Sequence, residues 1–380
     1  MRFPLMILLA SFVVPISTTL SAGEPIEIAR GAAPAHPQQP QVAVDAKGTI
    51  HLVYGSGDLI HYARSEDRGV SFSKPIALPP VHAMSLGMRR GPRIAVSDSA
   101  VCITAIGGKQ GKGRDGDVLA WRSSDAGKTW LGPSMVNDVP DAAREGLHGM
   151  AAGPKGTLCC VWLDLRDRQT EVRSSVSVDG GETWGKNTLV YQSPDGSVCE
   201  CCHPSVAFDS AGQIGVLWRN SLGGARDMYA AASTDGGKTF GKATKLGSGT
   251  WALKSCPMDG GNLAASAPGK FSTAWRREKT IYVTDKGSFQ ERSLGSGEQP
   301  WLAATAEGPF VIWLKSRADA VLMLGPGNKA PVQLAAKAFD PVIAAAPDGR
   351  GLVVAAWEAR DGKEYVIQCQ VVGEVGKSRP

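Results

Sequence analysis

Ser123-Ser124-Asp125-Ala126-Gly127-Lys128-Thr129-Trp130 is the stretch that decides the fold, because it recurs. SVDGGETW begins at Ser177, STDGGKTF at Ser233 and SEDRGVSF at Ser65. All four fit S-x-D-x-G-x-[TS]-[WF], and their starts at 65, 123, 177 and 233 keep a period of 54 to 58 residues. A degraded fifth copy, VTDKGSF, starts at Val283. Self-similarity at a fixed period of this size marks a repeat architecture. The pattern is mechanical. Asp67, Asp125, Asp179 and Asp235 are placed to accept backbone N–H bonds inside a tight hairpin. Gly69, Gly127, Gly181 and Gly237 supply a positive φ, and the closing aromatic packs back onto its own sheet.

Outward from each copy lies the rest of a repeat. An inner strand comes first, as in PRIAVSD from Pro92, PSVAFDSAG from Pro204 and PVIAAAPDG from Pro341. A second strand follows, often with a tryptophan near its end (Trp162, Trp218, Trp275, Trp313, Trp357), and a third runs into the motif. One such tryptophan per repeat is what packing between repeats would produce. Inner strands counted from Gln41, Arg93, Leu147, Ser205, Gly260, Trp301 and Val342 predict seven units. The expected fold is all-β, a seven-bladed β-propeller in one domain over residues 23–380, with six blades as the alternative. Repeat seven ends after IQCQVV, so EPIEIARGA from Glu24 is expected to supply its fourth strand and close the ring. Closure removes exposed sheet edges.

The motif resembles the Asp-box, or BNR repeat, of bacterial sialidases and their relatives. Sialidases have six blades, so a count of seven is a departure. In this strand order the box joins strands three and four. It therefore lies opposite the loops that lead into each inner strand and those that join strands two and three. The boxes identify a fold and say little about chemistry.

Bulk properties narrow the setting. Arg2, the apolar run Leu5–Val14 and Ser21-Ala22 form a signal-peptide layout over residues 1–22, predicting a secreted or periplasmic protein with no membrane span after cleavage. A net charge of +5 and the lack of basic runs with interleaved aromatics exclude a nucleic-acid partner.

Charged residues gather at the predicted entrances to the inner strands. The resemblance to sialidases implies three arginines on a substrate carboxylate, a Tyr–Glu nucleophile and an Asp acid/base. Arg90, Arg93, Arg166, Arg219 and Arg226 are the arginine candidates, since planar guanidinium forks match carboxylates. Trp301 is the candidate for stacking on a ligand, with Trp251 beside it. Glu145, Asp259, Glu298 and Asp340 are the candidate catalytic carboxyls; a retaining glycosidase needs two about 5 Å apart. The sequence also departs from sialidases. Blade one opens with HPQQP from His36 rather than Arg-Ile-Pro, and Arg93-Ile94 on blade two lacks the proline.

A second constellation is Cys199-Glu200-Cys201-Cys202-His203 with Cys256 at the next entrance. An exported chain favours disulfides here. The same residues, with His148 or Met258, also suit copper(I) or zinc. Read as an extended strand, Cys199 and Cys201 face one way and Cys202 the other. This block, with Arg226-Asp227-Met228 and Cys256-Pro257-Met258-Asp259-Gly260, resembles a secreted C-x-C-C variety of Asp-box protein. Cys102, Cys159, Cys160 and Cys369 fall within strands and read as core packing, a bridge from Cys102 to Cys159 or Cys160 being the alternative.

Two functional classes follow. One is an exported, sialidase-like, carbohydrate-associated propeller that binds or cleaves acidic or other glycans. The other is a binding module whose Cys/His/Met cluster holds copper or zinc, or staples a face that meets another exported protein.

Overall fold

A computed structural model describes residues 23–376 apart from 286, 288, 289 and 328. The signal-peptide residues 1–22 lie outside the described residues, as do Lys286, Ser288 and Phe289 of the degraded box. Among the described residues are seven four-stranded antiparallel sheets. Their innermost strands are Gln38–Val44, Arg93–Val96, His148–Ala152, Ser205–Phe208, Asn262–Ala267, Glu298–Thr305 and Ala338–Ala345, which define blades one to seven. Each innermost strand lies beside its neighbours, and that of blade seven lies beside that of blade one. The ring is closed, with seven blades rather than six.

Closure uses both ends of the chain. Ile26–Ala32 pairs antiparallel with Glu364–Val375 and becomes the outer strand of blade seven, in register Ile26 opposite Cys369 and Ala32 opposite Glu364. Ile28 is buried in the cluster formed by blades one and seven. At the surface Arg30 ties the strand down through Glu27, Asp361 and Glu364, at 2.7 to 2.9 Å.

The boxes fold as their composition requires. In blade two, Asp125 Oδ1 accepts the N–H groups of Lys128 and Thr129, and Oδ2 accepts the Thr129 hydroxyl. Ser123 donates its hydroxyl to Asp125 Oδ1 and accepts the Gly127 N–H at 2.8 Å. The same set recurs around Asp67, Asp179 and Asp235. Gly127, at φ 85°, also lies against the Tyr62 ring of blade one, where a Cβ would collide. Gly69, Gly181 and Gly237 likewise pack on Val371, Cys102 and Val176 of the preceding blade. The box thus locks blade to blade as well as strand to strand.

The second-strand tryptophans fill the wedges between blades. Trp162 packs with Cys102 and Ile106 of blade two, Trp218 with Leu163 and Val172 of blade three, and Trp357 with Ile312 and Leu324 of blade six. Cys102, Cys159, Cys160 and Cys369 are buried as free thiols, so the alternative bridge from Cys102 does not form. Burial pushes the thiols of Cys102 and Cys369 up to about 12, which leaves them inert as nucleophiles.

Candidate functional site

The entrance face is built by a repeated local device. A proline opens the inner strand in five blades, and the residue before it is Gln39, Gly91, His203, Gln299 or Asp340. Gln39, Gln299 and Asp340 take φ of 56°, 56° and 44°, with register shifts after Gln38, Glu298 and Phe339. The bulge turns Gln39 and Gln299 inward, where both are buried, and His203 before Pro204 is buried without one.

Across the axis lies an arginine from the loop before blade two. Arg89 donates to the carbonyls of Pro341 and Gln299, at 2.7 and 2.5 Å, and sits 3.9 Å from Asp340. Its guanidinium and that of Arg93 lie 5.3 and 5.8 Å from the Trp301 ring centre, and His203 stacks on that ring at 5.3 Å. Burial lowers Arg93 to about 9, with Arg89 adding repulsion. Burial also drives His203 and His148 far below the usual histidine range, so both rings are neutral at pH 7. Trp301 therefore already has two guanidinium groups and an imidazole packed against its ring.

The predicted arginines separate into two groups. Arg93 donates to the carbonyls of His148, Gly91, Pro92 and Arg89. Arg219 donates to those of Asp259, Arg226 and Arg276. Arg166 is held by Asp164 and Asn187 of blade three and by Asp138 of the link from blade two. These three are committed to the scaffold. Arg90 keeps one bond, to the Glu145 carbonyl at 2.8 Å. Arg90 and Arg226 are half-buried on the entrance face. Trp251 is buried beneath Arg219 and Arg276.

Of the predicted carboxyls, Asp259 and Glu298 come together around Arg276, whose Nη1 is 3.5 Å from Asp259 and 3.1 Å from Glu298. Asp259 is fully enclosed, and burial raises its pKa against the Gln299 N–H and the nearby arginines. Glu298 also accepts the Arg317 N–H and lies 3.5 Å from its guanidinium. Asp340 accepts from the Gln299 side chain at 2.9 Å. Glu145 sits apart, its pKa raised by burial and then by Glu200. A further carboxyl, Glu358, stands on the second strand of blade seven, Gly351–Asp361. It is buried, accepts the Gln39 N–H at 2.7 Å, and is pushed well above the carboxylate range by burial and then by Asp340. The proline-marked bulges were the sequence signal for this inner ring.

The cysteines depart from the alternating pattern. Residues 199–202 form a turn closed by Cys202 N–H to the Cys199 carbonyl, so all three side chains converge instead of pointing to opposite faces. Cys199 Sγ is 3.6 Å from Cys201 Sγ and 3.5 Å from Cys202 Sγ, and the last two are 4.0 Å apart. Cys201 is disulfide-bonded to Cys256, with Cα atoms 6.2 Å apart. Cys199 and Cys202 are buried free thiols, and Met258 packs on the group. The hydrogen bond with Cys202 lowers the Cys199 thiol, and burial raises that of Cys202. His203 is not gathered with the sulfurs: its ring turns toward the axis, and both its nitrogens lack a partner.

Residues 101–256 match the family model of the BNR repeat-like domain. Among curated proteins none matches the sequence. Similar solved structures include the Penicillium chrysogenum α-L-arabinanase complexed with arabinobiose, 14% identical, with a TM-score of 0.53 over 94% of this chain and 100% of that one. The α-L-arabinofuranosidase of Fusarium graminearum with arabinobiose is 12% identical, with a TM-score of 0.51 over 92% and 98%. The leech intramolecular trans-sialidase is 10% identical, with a TM-score of 0.51 over 94% and 70%. Such identities speak for fold alone. With four box motifs and a closed ring of seven sheets, the chain is an Asp-box β-propeller whose residues 101–256 match the BNR repeat-like domain.

Proposed function

We propose that this is an exported glycan-binding propeller that takes its sugar on the entrance face and does not cleave it. The observation that carries the reading is the Arg276–Glu298–Arg317 relay beside the axis. Its carboxylate is shared by two guanidinium groups, and the side chains of Arg276, Glu298 and Arg317 remain 19%, 16% and 39% exposed. Partly exposed charged forks of this kind exchange water for sugar hydroxyls or a sugar carboxylate at modest cost. Half-buried Arg90 and Arg226 extend the same surface. The carbohydrate ligands bound by the arabinanase and arabinofuranosidase support the class of ligand.

The use of the carboxyls supports binding without hydrolysis. Asp259, the partner nearest Glu298 through Arg276, has no exposed surface and cannot flank a bound glycosidic bond. All six tyrosines (54, 62, 191, 229, 282, 365) lie on second, third or outer strands, away from the innermost strands where a Tyr–Glu nucleophile would stand. Export is supported by the Cys201–Cys256 disulfide together with the leader-like residues 1–22.

The test is a glycan array, neutral and acidic, probed with the mature protein, followed by chromatography of each ligand after prolonged incubation. The expected result is binding with intact ligand. Hydrolysis that disappears in Glu298→Gln would overturn the binding-only reading, and an array with no ligand would overturn the glycan reading.

A further inference from the structure

The cysteine turn is not used by the glycan reading, and its geometry has a meaning of its own. A metal about 2.3 Å from each sulfur spaces tetrahedral or trigonal sulfurs about 3.8–4.0 Å apart. The sulfurs of Cys199, Cys201 and Cys202 stand 3.5, 3.6 and 4.0 Å apart, close to the spacing of one face of such a site and brought to it by a small spreading of the turn. Core packing does not demand three convergent thiols, and a single staple needs only one of them. Met258, from the entrance to the next blade, packs on the same three cysteines at a φ of 53°. A non-glycine residue in that region costs about 1 kcal/mol or more.

We propose that reduction of the Cys201–Cys256 disulfide converts this turn into a site for one copper(I) ion, bound by Cys199, Cys201 and Cys202 beside the Met258 thioether. Soft thiolate and thioether donors select copper(I), whereas zinc favours a fourth nitrogen, oxygen or thiolate ligand. The disulfide gates the site. Cys256 is solvent-exposed, so a thiol reductant can reach the bond. Two reductant thiols give up their protons and two electrons, the Cys201–Cys256 bond breaks to two thiols, and the reductant leaves as its own disulfide. Copper enters as copper(I) and displaces the thiol protons, with no change in its oxidation state. The oxidised form lacks the Cys201 thiolate and keeps two donors of the three.

The experiment uses the full mature chain under nitrogen, reduced with a phosphine or left oxidised, and titrated with copper(I) against bicinchoninate. The reduced protein is expected to retain one equivalent, with an all-sulfur first shell at about 2.2–2.3 Å by X-ray absorption. The oxidised protein and Cys202→Ser are expected to bind at least about 100-fold more weakly, since even outer-shell changes cost up to that factor. Cys369→Ala, distant in the core of blade seven, should leave binding unchanged. The proposal fails if the reduced chain retains no copper, if zinc displaces it at equal concentration, or if Cys199→Ser and Cys202→Ser bind as the parent does. Should those variants not fold, a nitrogen- or oxygen-containing shell in the unmutated protein would also overturn it.

Discussion

Two carboxyl groups make opposite predictions about pH. Asp179 in its box accepts the Thr183 N–H and hydroxyl and the Ser177 hydroxyl; these bonds outweigh partial burial and hold it down to about 2. A depressed acid contributes stability above its ordinary value of 3.8 and loses it as the pH falls toward 2. Asp179→Asn should therefore flatten the fall in melting temperature between pH 4 and 2, measured by calorimetry against the parent. Glu358 runs the other way. Its raised pKa means that the folded state prefers the protonated acid, so stability is full below 4.5 and is lost as the pH climbs through neutrality. Glu358→Gln should be at least as stable as the parent at pH 8 and should lose the parent's decline from pH 5. The box aspartates were legible because a sequence motif encodes a local hydrogen-bond set. Glu358 was not, because its role depends on Gln39 some 319 residues away.

At the scale of elements, the loop before blade two closes the axis, and Arg89 is its key. It serves carbonyls of blades six and seven from a wholly buried position. Arg89→Met should leave both carbonyls without their donor and Asp340 without its nearby cation, and cost about 3 kcal/mol, read as a shift in the denaturant midpoint. Arg89→Lys should not restore it, because a point charge cannot reproduce a fork that reaches two carbonyls. Strand order, the hairpins and the wedge tryptophans were legible, since each repeats with the motif. The axis plug was not, because Arg89 occurs once and its partners belong to distant blades. The cysteine turn misled for a related reason: C-x-C-C alternates in a strand, yet Cys199–Cys202 stands just outside one and curls on itself.

For the whole molecule, the ring is held by a strand borrowed from the far end of the chain. Deleting residues 23–32 should expose the edge of Glu364–Val375 and remove about 3 kcal/mol of burial from Ile26 and Ile28, with aggregation visible by size-exclusion chromatography. Arg30→Ala, which removes only half-exposed ion pairs, should cost under about 1 kcal/mol. Such closure was legible because repeat seven ran out of strands while an unpaired one stood at the other end. A ring also has two faces, and the glycan is proposed to bind only the entrance face. The opposite face carries its own groove of 610 Å³ between blades three and four, lined by Trp184 and Lys238. The most direct test is isothermal titration of the strongest array glycan into the parent, into Arg226→Ala/Arg317→Ala on the entrance face, and into Lys238→Ala on the box face. At least about a tenfold loss of affinity, roughly 1.4 kcal/mol, is expected for the entrance variant and none for the other. Loss confined to Lys238→Ala would contradict it and move the binding site to the box face.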